Sequence, residues 1–131
     1  MKRILILLAV VIGMASPAFA ADPLEGVWQT APDDNGNYGH VQVSPCNGKL
    51  CGVLIKSFDS SGKSTASENI GKRIIWDMVP QGNGKYGKGK VWSPDRDKTY
   101  KSKMQMNGSR VAVSGCVLGI CRDGGNWTKV K

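Results

Sequence analysis

Apolar and polar residues alternate along several short stretches of this chain, and turns rich in glycine, asparagine or proline separate these stretches. The clearest example is Thr99–Met106, in which every second residue from Lys101 to Gln105 is a lysine or a glutamine. A period of two is typical of a strand that buries one face. One face of this stretch carries Tyr100, Ser102, Met104 and Met106. Eight strands are predicted in this way: Gly26–Ala31, Tyr38–Cys46, Leu50–Phe58, Arg73–Met78, Gly87–Trp92, Thr99–Met106, Arg110–Cys116 and Asn126–Val130.

The turns between these strands predict how the strands are connected. Asn47-Gly48 and Asn107-Gly108 are Asn-Gly pairs, which are strong hairpin signals. Consecutive hairpins indicate an antiparallel up-and-down meander, and closing such a meander into a barrel leaves no exposed edge strand. The polar, serine-rich stretch Phe58–Gly71 is predicted to be the longest loop, or a lid. We therefore expect an all-β fold, a small eight-stranded barrel.

Residues 1–20 have the pattern of an export signal. Met1-Lys2-Arg3 is basic, Ile4–Met14 is apolar, and Ala18-Phe19-Ala20 matches a small-x-small cleavage site. The mature chain is expected to begin at Ala21, or one residue later, and to form a single domain over residues 21–131. The apolar run is too short for a stable anchor, so no transmembrane segment is expected. We predict a periplasmic or secreted protein.

The four cysteines form two close pairs in the sequence, Cys46 with Cys51 and Cys116 with Cys121. In a reducing compartment such pairs would suggest a zinc site, but behind an export signal they predict disulfides. Three pairings of four cysteines are possible. We favour the two local disulfides, because residues that flank a hairpin loop face each other at a distance that a disulfide can bridge.

The chain is basic, with a net charge of +8 that falls to +6 without Lys2 and Arg3 of the leader. The cations are concentrated between Lys85 and Lys103. In an exported protein, such a stripe can meet an anionic envelope component: lipopolysaccharide, anionic lipid or an acidic glycan. The other interpretation is a solvated outer face of the barrel. Nucleic acid is not expected as a partner in this compartment.

Gly26-Val27-Trp28 resembles the G-x-W signature of lipocalins and related calycin barrels. The resemblance implies that Trp28 closes one end of the barrel beneath a basic side chain from the last strand. Lys129 is the first candidate for that role, and Arg122 is the second.

A longer series of segments resembles the exported bacterial family known as domain of unknown function 2147. The matching segments are Gly26-Val27-Trp28, Cys46-Asn47-Gly48-Lys49-Leu50-Cys51-Gly52, Gly89-Lys90-Val91-Trp92-Ser93-Pro94-Asp95, Lys98-Thr99-Tyr100, and Ser114-Gly115-Cys116 through Trp127. They run in order along nearly the whole predicted mature chain. The resemblance implies a lipocalin-like barrel and brings no established activity with it.

The sequence gives no signal for catalysis. His40, the only histidine, has no recognisable serine or cysteine partner. Asp33, Asn35 and Asn37 begin like a calcium loop, but the glycine and the glutamate of such a loop do not follow at the required positions. The glycines lack the spacing of a phosphate-binding loop. We expect no enzyme activity, no metal site and no cofactor.

Two functional hypotheses follow. The first is a binding protein that holds a small hydrophobic or amphipathic ligand inside the barrel. An eight-stranded barrel can hold one small ligand or be filled by its own side chains, and the sequence favours neither. The predicted ligand-binding residues are Trp28, Val43, Ile55, Trp92, Tyr100, Met104 and Met106. Four further residues expected inside the barrel are Val41, Val53, Val111 and Val113.

The second hypothesis is an exported interaction module. In this case the basic surface, including Lys88, Lys90 and Lys101, binds an envelope polymer or a protein.

Overall fold

The computed structural model describes residues 21–131, and every regular element in this range is a β-strand. The export signal predicted for residues 1–20 lies outside the described residues. Within the described range, no helix is long and apolar enough to cross a membrane. The strands are β1 (Gly26–Gln29), β2 (Tyr38–Cys46), β3 (Lys49–Phe58), β4 (Ser64–Thr65), β5 (Arg73–Gly82), β6 (Lys85–Ser93), β7 (Lys98–Asn107), β8 (Arg110–Val117) and β9 (Ile120–Lys129).

The sheet closes on itself as an antiparallel barrel of eight strands. Strands that follow one another in the chain are neighbours in the sheet, with β5 taking the place beside β3. Strand β1 pairs with both β2 and β9, which closes the barrel. The two-residue strand β4 is an addition to the end of β3. The predicted eight-stranded up-and-down barrel is therefore confirmed.

The barrel has two different ends. At the end that we call closed lie residues 21–25 and the turns that connect β2 to β3, β5 to β6 and β7 to β8. At the opposite end, which we call open, lie the longer connections between β1 and β2 and between β3 and β5, together with the β6–β7 and β8–β9 turns.

Strand β9 begins earlier than the sequence pattern predicted, at Ile120 instead of Asn126. It forms a hairpin with β8 across the two-residue turn Leu118-Gly119. Leucine replaces the asparagine that marks such a turn, and the residues that follow Cys121 are polar and exposed. Both features hid the strand from a pattern search.

Both predicted disulfides are present, Cys46–Cys51 at the closed end and Cys116–Cys121 at the open end. They differ in register. Cys116 and Cys121 are direct partners in the β8–β9 ladder. By contrast, Cys51 lies opposite Ser44, so the first disulfide runs diagonally across the β2–β3 hairpin.

Side chains fill the closed half of the barrel. Close packing here depends on glycines in the wall. A Cβ atom on Gly52 would lie 2.6 Å from Cγ1 of Val41 and 2.9 Å from Cγ1 of Ile75, so only glycine lets these two side chains meet. A Cβ atom on Gly89 would likewise collide with the thioether of Met78, so glycine is needed there as well. The largest fully buried side chains are those of Trp28, Leu24, Ile75, Met78, Val41 and Val111.

The residues that precede β1 seal the closed end. The indole nitrogen of Trp28 donates a hydrogen bond of 2.8 Å to the carbonyl oxygen of Leu24, and both residues are fully buried. The hydroxyl of Tyr86 donates a hydrogen bond of 2.5 Å to the carboxylate of Asp22. Burial, followed by this hydrogen bond, raises the pKa of Tyr86 well above its usual value. The first residues of the domain are thereby fixed beneath the barrel.

Candidate ligand cavity at the open end

A cavity of about 1170 Å³ occupies the open half of the barrel. Its buried floor is formed by Leu54, Ile74, Val113 and Trp127. These four residues also belong to the core cluster, so the cavity begins where the filled half ends. The sequence left open whether the barrel is filled or hollow. In the structure the closed half is filled by side chains and the open half contains the cavity.

Glycines also lie in the wall of the open half. Gly39, Gly115 and Gly124 line the cavity and contribute no side chain to it. A Cβ atom on Gly39 would lie 2.5 Å from Cδ1 of Leu54, and one on Gly115 would lie 3.3 Å from Cβ of Tyr100. These glycines therefore let neighbouring side chains of the lining pack closely against the wall.

Trp92 lies at the cavity wall in a fixed orientation. Its half-buried indole donates a hydrogen bond of 3.0 Å from Nε1 to Oδ1 of Asp97. The ammonium group of Lys72 lies 5.4 Å from the centroid of the same ring, within the range of a cation–π interaction. These contacts hold a large aromatic surface at the border between the floor and the mouth.

A second aromatic group lies at the mouth beside the β1–β2 connection. Tyr38 and Phe58, both lining the cavity, stack with ring centroids 5.0 Å apart. The ring of His40 packs on Phe58 at 4.7 Å, and its Nε2 lies 3.3 Å from Oε1 of Gln29. Burial, and secondly the charge of Lys56, lower the pKa of His40. His40 thus supports Phe58 from outside the cavity lining.

The polar groups of the mouth belong mainly to its loops. Asp59 accepts hydrogen bonds from the hydroxyl of Ser61 and from the backbone N–H of Lys63, and these bonds lower its pKa. The Tyr100 hydroxyl, followed by the Asp95 carboxylate, raises the pKa of the Arg96 guanidinium. The cavity therefore has an apolar floor and a charged, hydrogen-bonding rim.

The seven residues predicted to bind a ligand lie in different parts of the barrel. Trp92 and Tyr100 line the cavity. Trp28, Val43 and Met104 lie in the core of the filled half instead, where each is at least 97% buried. Met106 is half-buried and packs against that core.

Ile55 and Val53, two residues expected inside the barrel, do not face its interior. In the β2–β3 ladder, Val41 lies opposite Leu54 and His40 lies opposite Lys56, so Ile55 is the extra residue of a β-bulge. Val53 lies opposite the exposed Gln42, on the outer face. Leu54 occupies the interior position in their place.

Of the other residues expected inside, Val113 lines the cavity. Val41 and Val111 are fully buried in the core.

Sequence reasoning missed Leu54, Ile74 and Trp127 as cavity-lining residues. Leu54 lies within a run of three apolar residues, and Ile74 precedes another isoleucine. In such runs a period of two cannot show which residue points inward. For Trp127 the signal was present, since an aromatic residue in the last strand of a barrel is a natural candidate for the interior.

A smaller groove of about 370 Å³ lies across β6, β7 and β8. Four exposed lysines line it, and no carboxylate of the described residues does. Lys90 and Lys101 are direct partners across the β6–β7 ladder. Like charges in that position oppose each other and weaken the pairing. The lysines of this groove, which we call the basic groove, are Lys88, Lys90, Lys101 and Lys103.

An eight-stranded antiparallel barrel with a tryptophan-sealed end and a cavity at the other end is a lipocalin-like barrel. A solved structure with a similar fold is that of protein HP1028 from the human pathogen Helicobacter pylori, which belongs to the lipocalin family. The two share 17% sequence identity, with a TM-score of 0.65 over 86% of this chain and 85% of that chain.

The protein belongs to a family of uncharacterized proteins conserved in bacteria, DUF2147, whose model matches residues 26–129. This match confirms the resemblance found in the sequence. No curated protein matches the chain at a significant level.

Proposed function

We propose that this protein is an exported, lipocalin-like carrier that binds a small hydrophobic or amphipathic molecule. The observation that carries the proposal is the cavity of about 1170 Å³ at the open end, with its apolar floor. Pockets for small molecules typically measure about 300–1,000 Å³ and are lined mainly by apolar and aromatic side chains. The cavity offers room for one such molecule.

The distribution of lining residues favours an amphipathic ligand with a defined orientation. Its apolar part would contact Leu54, Val113 and Trp127 on the floor, where water is displaced from apolar surface. Its polar part would remain at the mouth, within reach of the Tyr100 hydroxyl and the Arg96 guanidinium.

Two observations support an exported location. The described residues contain two disulfides, a type of bond that persists in oxidising compartments. The pattern of residues 1–20 is that of an export signal.

Binding without catalysis is the simplest chemistry for this site. His40, the only histidine of the chain, does not line the cavity and is engaged with Gln29 and Phe58. Four aspartates of the mouth, Asp33, Asp59, Asp95 and Asp123, accept hydrogen bonds within their own loops, as Asp33 does from the backbone N–H groups of Asn35 and Asn37.

The proposal can be tested by purifying the protein from its native envelope and extracting it gently with organic solvent for mass spectrometry. We expect one class of small apolar or amphipathic molecule at close to one molecule per chain. A parallel preparation of Val91→Trp, which places a bulky ring at the cavity wall, should carry much less of it. Equal amounts in both preparations, or no bound molecule together with no uptake of added fatty acid, would contradict the proposal.

The basic groove supports a second candidate function, which is binding to an anionic envelope component. Four lysines face one groove, and none of the described residues that line it is acidic, so the groove is a site of positive potential. Changing Lys88, Lys90 and Lys101 to glutamate should abolish binding to anionic envelope fractions. The same charge change at Lys49, Lys56 and Lys131, which lie outside the groove, serves as the control. Binding that does not weaken with added salt would contradict this function, because exposed charges are screened.

A further inference from the structure

Three hairpins of this barrel share the same kind of two-residue turn, but one of them has an unusual residue. Asn47-Gly48 and Asn83-Gly84 have φ angles of 52° and 77°, and of 55° and 74°. Leu118-Gly119 has nearly the same angles, 50° and 79°. Asparagine tolerates this left-handed conformation well and leucine does not. Backbone geometry thus favours asparagine at all three turns, and only the third departs from it.

Leu118 gains no packing within the protein that would explain its presence. It is 98% exposed, and it is flanked by Val117 and Ile120, which are 54% and 68% exposed. The disulfide Cys116–Cys121 joins the two strands directly behind these residues. Residues 117–120, which we call the apolar tip, therefore form a small and covalently clamped projection of apolar side chains at the open end.

We propose that the apolar tip inserts into the surface of a phospholipid bilayer that contains anionic headgroups. Leucine is unfavourable in the left-handed conformation, and its exposure to water is a further cost. Burial of the Leu118 side chain in a complex would account for its presence at this position. Apolar side chains that penetrate the boundary between headgroups and acyl chains, next to basic residues, are the usual basis of peripheral membrane binding.

The charge around the tip fits an anionic lipid surface. Cys116 belongs both to the base of the apolar tip and to the wall of the basic groove, and Lys101 lies directly opposite it in the β7–β8 ladder. Lysines of the groove can therefore reach phosphate groups at the level where Leu118 enters the lipid. Just behind the tip on β9, Arg122 lies opposite Gly115 and Asp123 lies opposite Ser114, so one cation and one anion offset each other there. The positive charge beside the tip therefore comes from the lysines of the basic groove.

A bilayer fits this surface better than a protein partner does. A stable protein–protein interface buries about 800 Å² on each side. A projection of four residues cannot supply that area, whereas insertion into lipid requires only that a few apolar side chains leave water. The inference goes beyond ligand binding and does not depend on it. If both hold, docking brings the cavity mouth, which Val117 and Leu118 border, close to the lipid.

The test is vesicle co-sedimentation of the chain from Ala21 onward, which contains every strand of the barrel. The vesicles are phosphatidylethanolamine with and without phosphatidylglycerol. The key variant is Leu118→Asn, which gives the third turn the same residues as the other two and so should leave folding intact. We expect its partition into anionic vesicles to fall by roughly ten- to a hundredfold, since the leucine side chain no longer transfers to lipid.

Two further variants separate the contributions. Lys101→Gln should weaken binding by about fivefold, and only to vesicles with phosphatidylglycerol. Val130→Asn removes an apolar side chain that is 45% exposed beyond the closed end, and should have no effect. The inference is overturned if the unmodified chain does not bind anionic vesicles. It is also overturned if Leu118→Asn binds as well as the unmodified chain, because binding would then depend on the lysines alone.

Discussion

The ammonium group of Lys129 lies 4.8 Å from the centroid of the Trp28 ring at the closed end of the barrel. The same nitrogen donates a hydrogen bond of 2.6 Å to the carbonyl oxygen of Glu25. Trp28 in turn donates a hydrogen bond to Leu24. Lys129 of the last strand therefore contacts both Trp28, which seals the closed end, and the residues that precede β1. Of the two basic residues that the resemblance offered for this role, Lys129 occupies it.

Replacing Trp28 by alanine tests how much this side chain stabilises the closed end of the barrel. Because the side chain is fully buried, the free energy of unfolding should fall by roughly 3–5 kcal/mol. Urea denaturation followed by circular dichroism measures the change, and Trp28→Phe should lose less because it keeps a ring in place. A loss below about 1 kcal/mol for the alanine variant would be too small for a buried tryptophan, and it would contradict the role of Trp28 in sealing the closed end.

Lys129→Met separates the charge of the lysine from its aliphatic chain. The methionine keeps apolar contact with Trp28 but cannot make the cation–π contact or the hydrogen bond to Glu25. We expect a loss of about 1–3 kcal/mol in the same denaturation experiment. Lys131→Met, which changes an exposed lysine two residues away, is the matched control. Equal effects of the two substitutions would show that the position above Trp28 has no special role.

Tyr86→Phe removes the hydroxyl that binds Asp22 and leaves the ring in the core. A hydrogen bond to a charged group contributes about 1.5–3 kcal/mol, so a loss of that size is expected. Tyr38→Phe serves as the comparison, because the Tyr38 hydroxyl lies at the open end. If both variants are equally stable, the link between Asp22 and the barrel does not stabilise the fold.

The stability of the barrel should also depend on the protonation of His40. Its pKa lies below the ordinary value of 6.5, so the folded protein holds this proton less tightly than the unfolded chain does. The contribution of the neutral ring is therefore fully present above about pH 6.5 and is lost as the pH falls below it. Unfolding free energies at neutral and mildly acidic pH should differ less in His40→Gln than in the unmodified protein. An unchanged difference would contradict this assignment.

The sequence predicted the scaffold well because strands and turns leave local signals. The Asn47-Gly48 turn, the alternation along β7 and the two cysteine pairs are each readable within about ten residues. The start of β9 was not readable, because its turn places Leu118 where a pattern search expects asparagine. The residue that hid the strand is also the one that suggests a contact with lipid.

The candidate site was predicted less well, and the reason is physical. Which side chain faces the interior depends on the register between strands. Val41 pairs with Leu54 and Gln42 pairs with Val53, so Leu54 faces inward and Val53 faces outward, and the run of three apolar residues does not reveal this. The boundary between the filled and open halves depends on contacts between distant strands. An example is the position that Gly52 leaves free for Val41 and Ile75, a contact that no single stretch of sequence reveals.

The most direct test of ligand binding is an equilibrium titration of the delipidated protein with a fluorescent fatty acid. Val91 lines the cavity, whereas the neighbouring Lys90 is exposed on the outer face, so Val91→Trp and Lys90→Trp add the same ring on opposite sides of the wall. We predict saturable binding at one site in the unmodified protein and in Lys90→Trp, and a loss of at least about tenfold in affinity for a folded Val91→Trp. Equal affinity for all three proteins would show that the cavity does not hold the ligand.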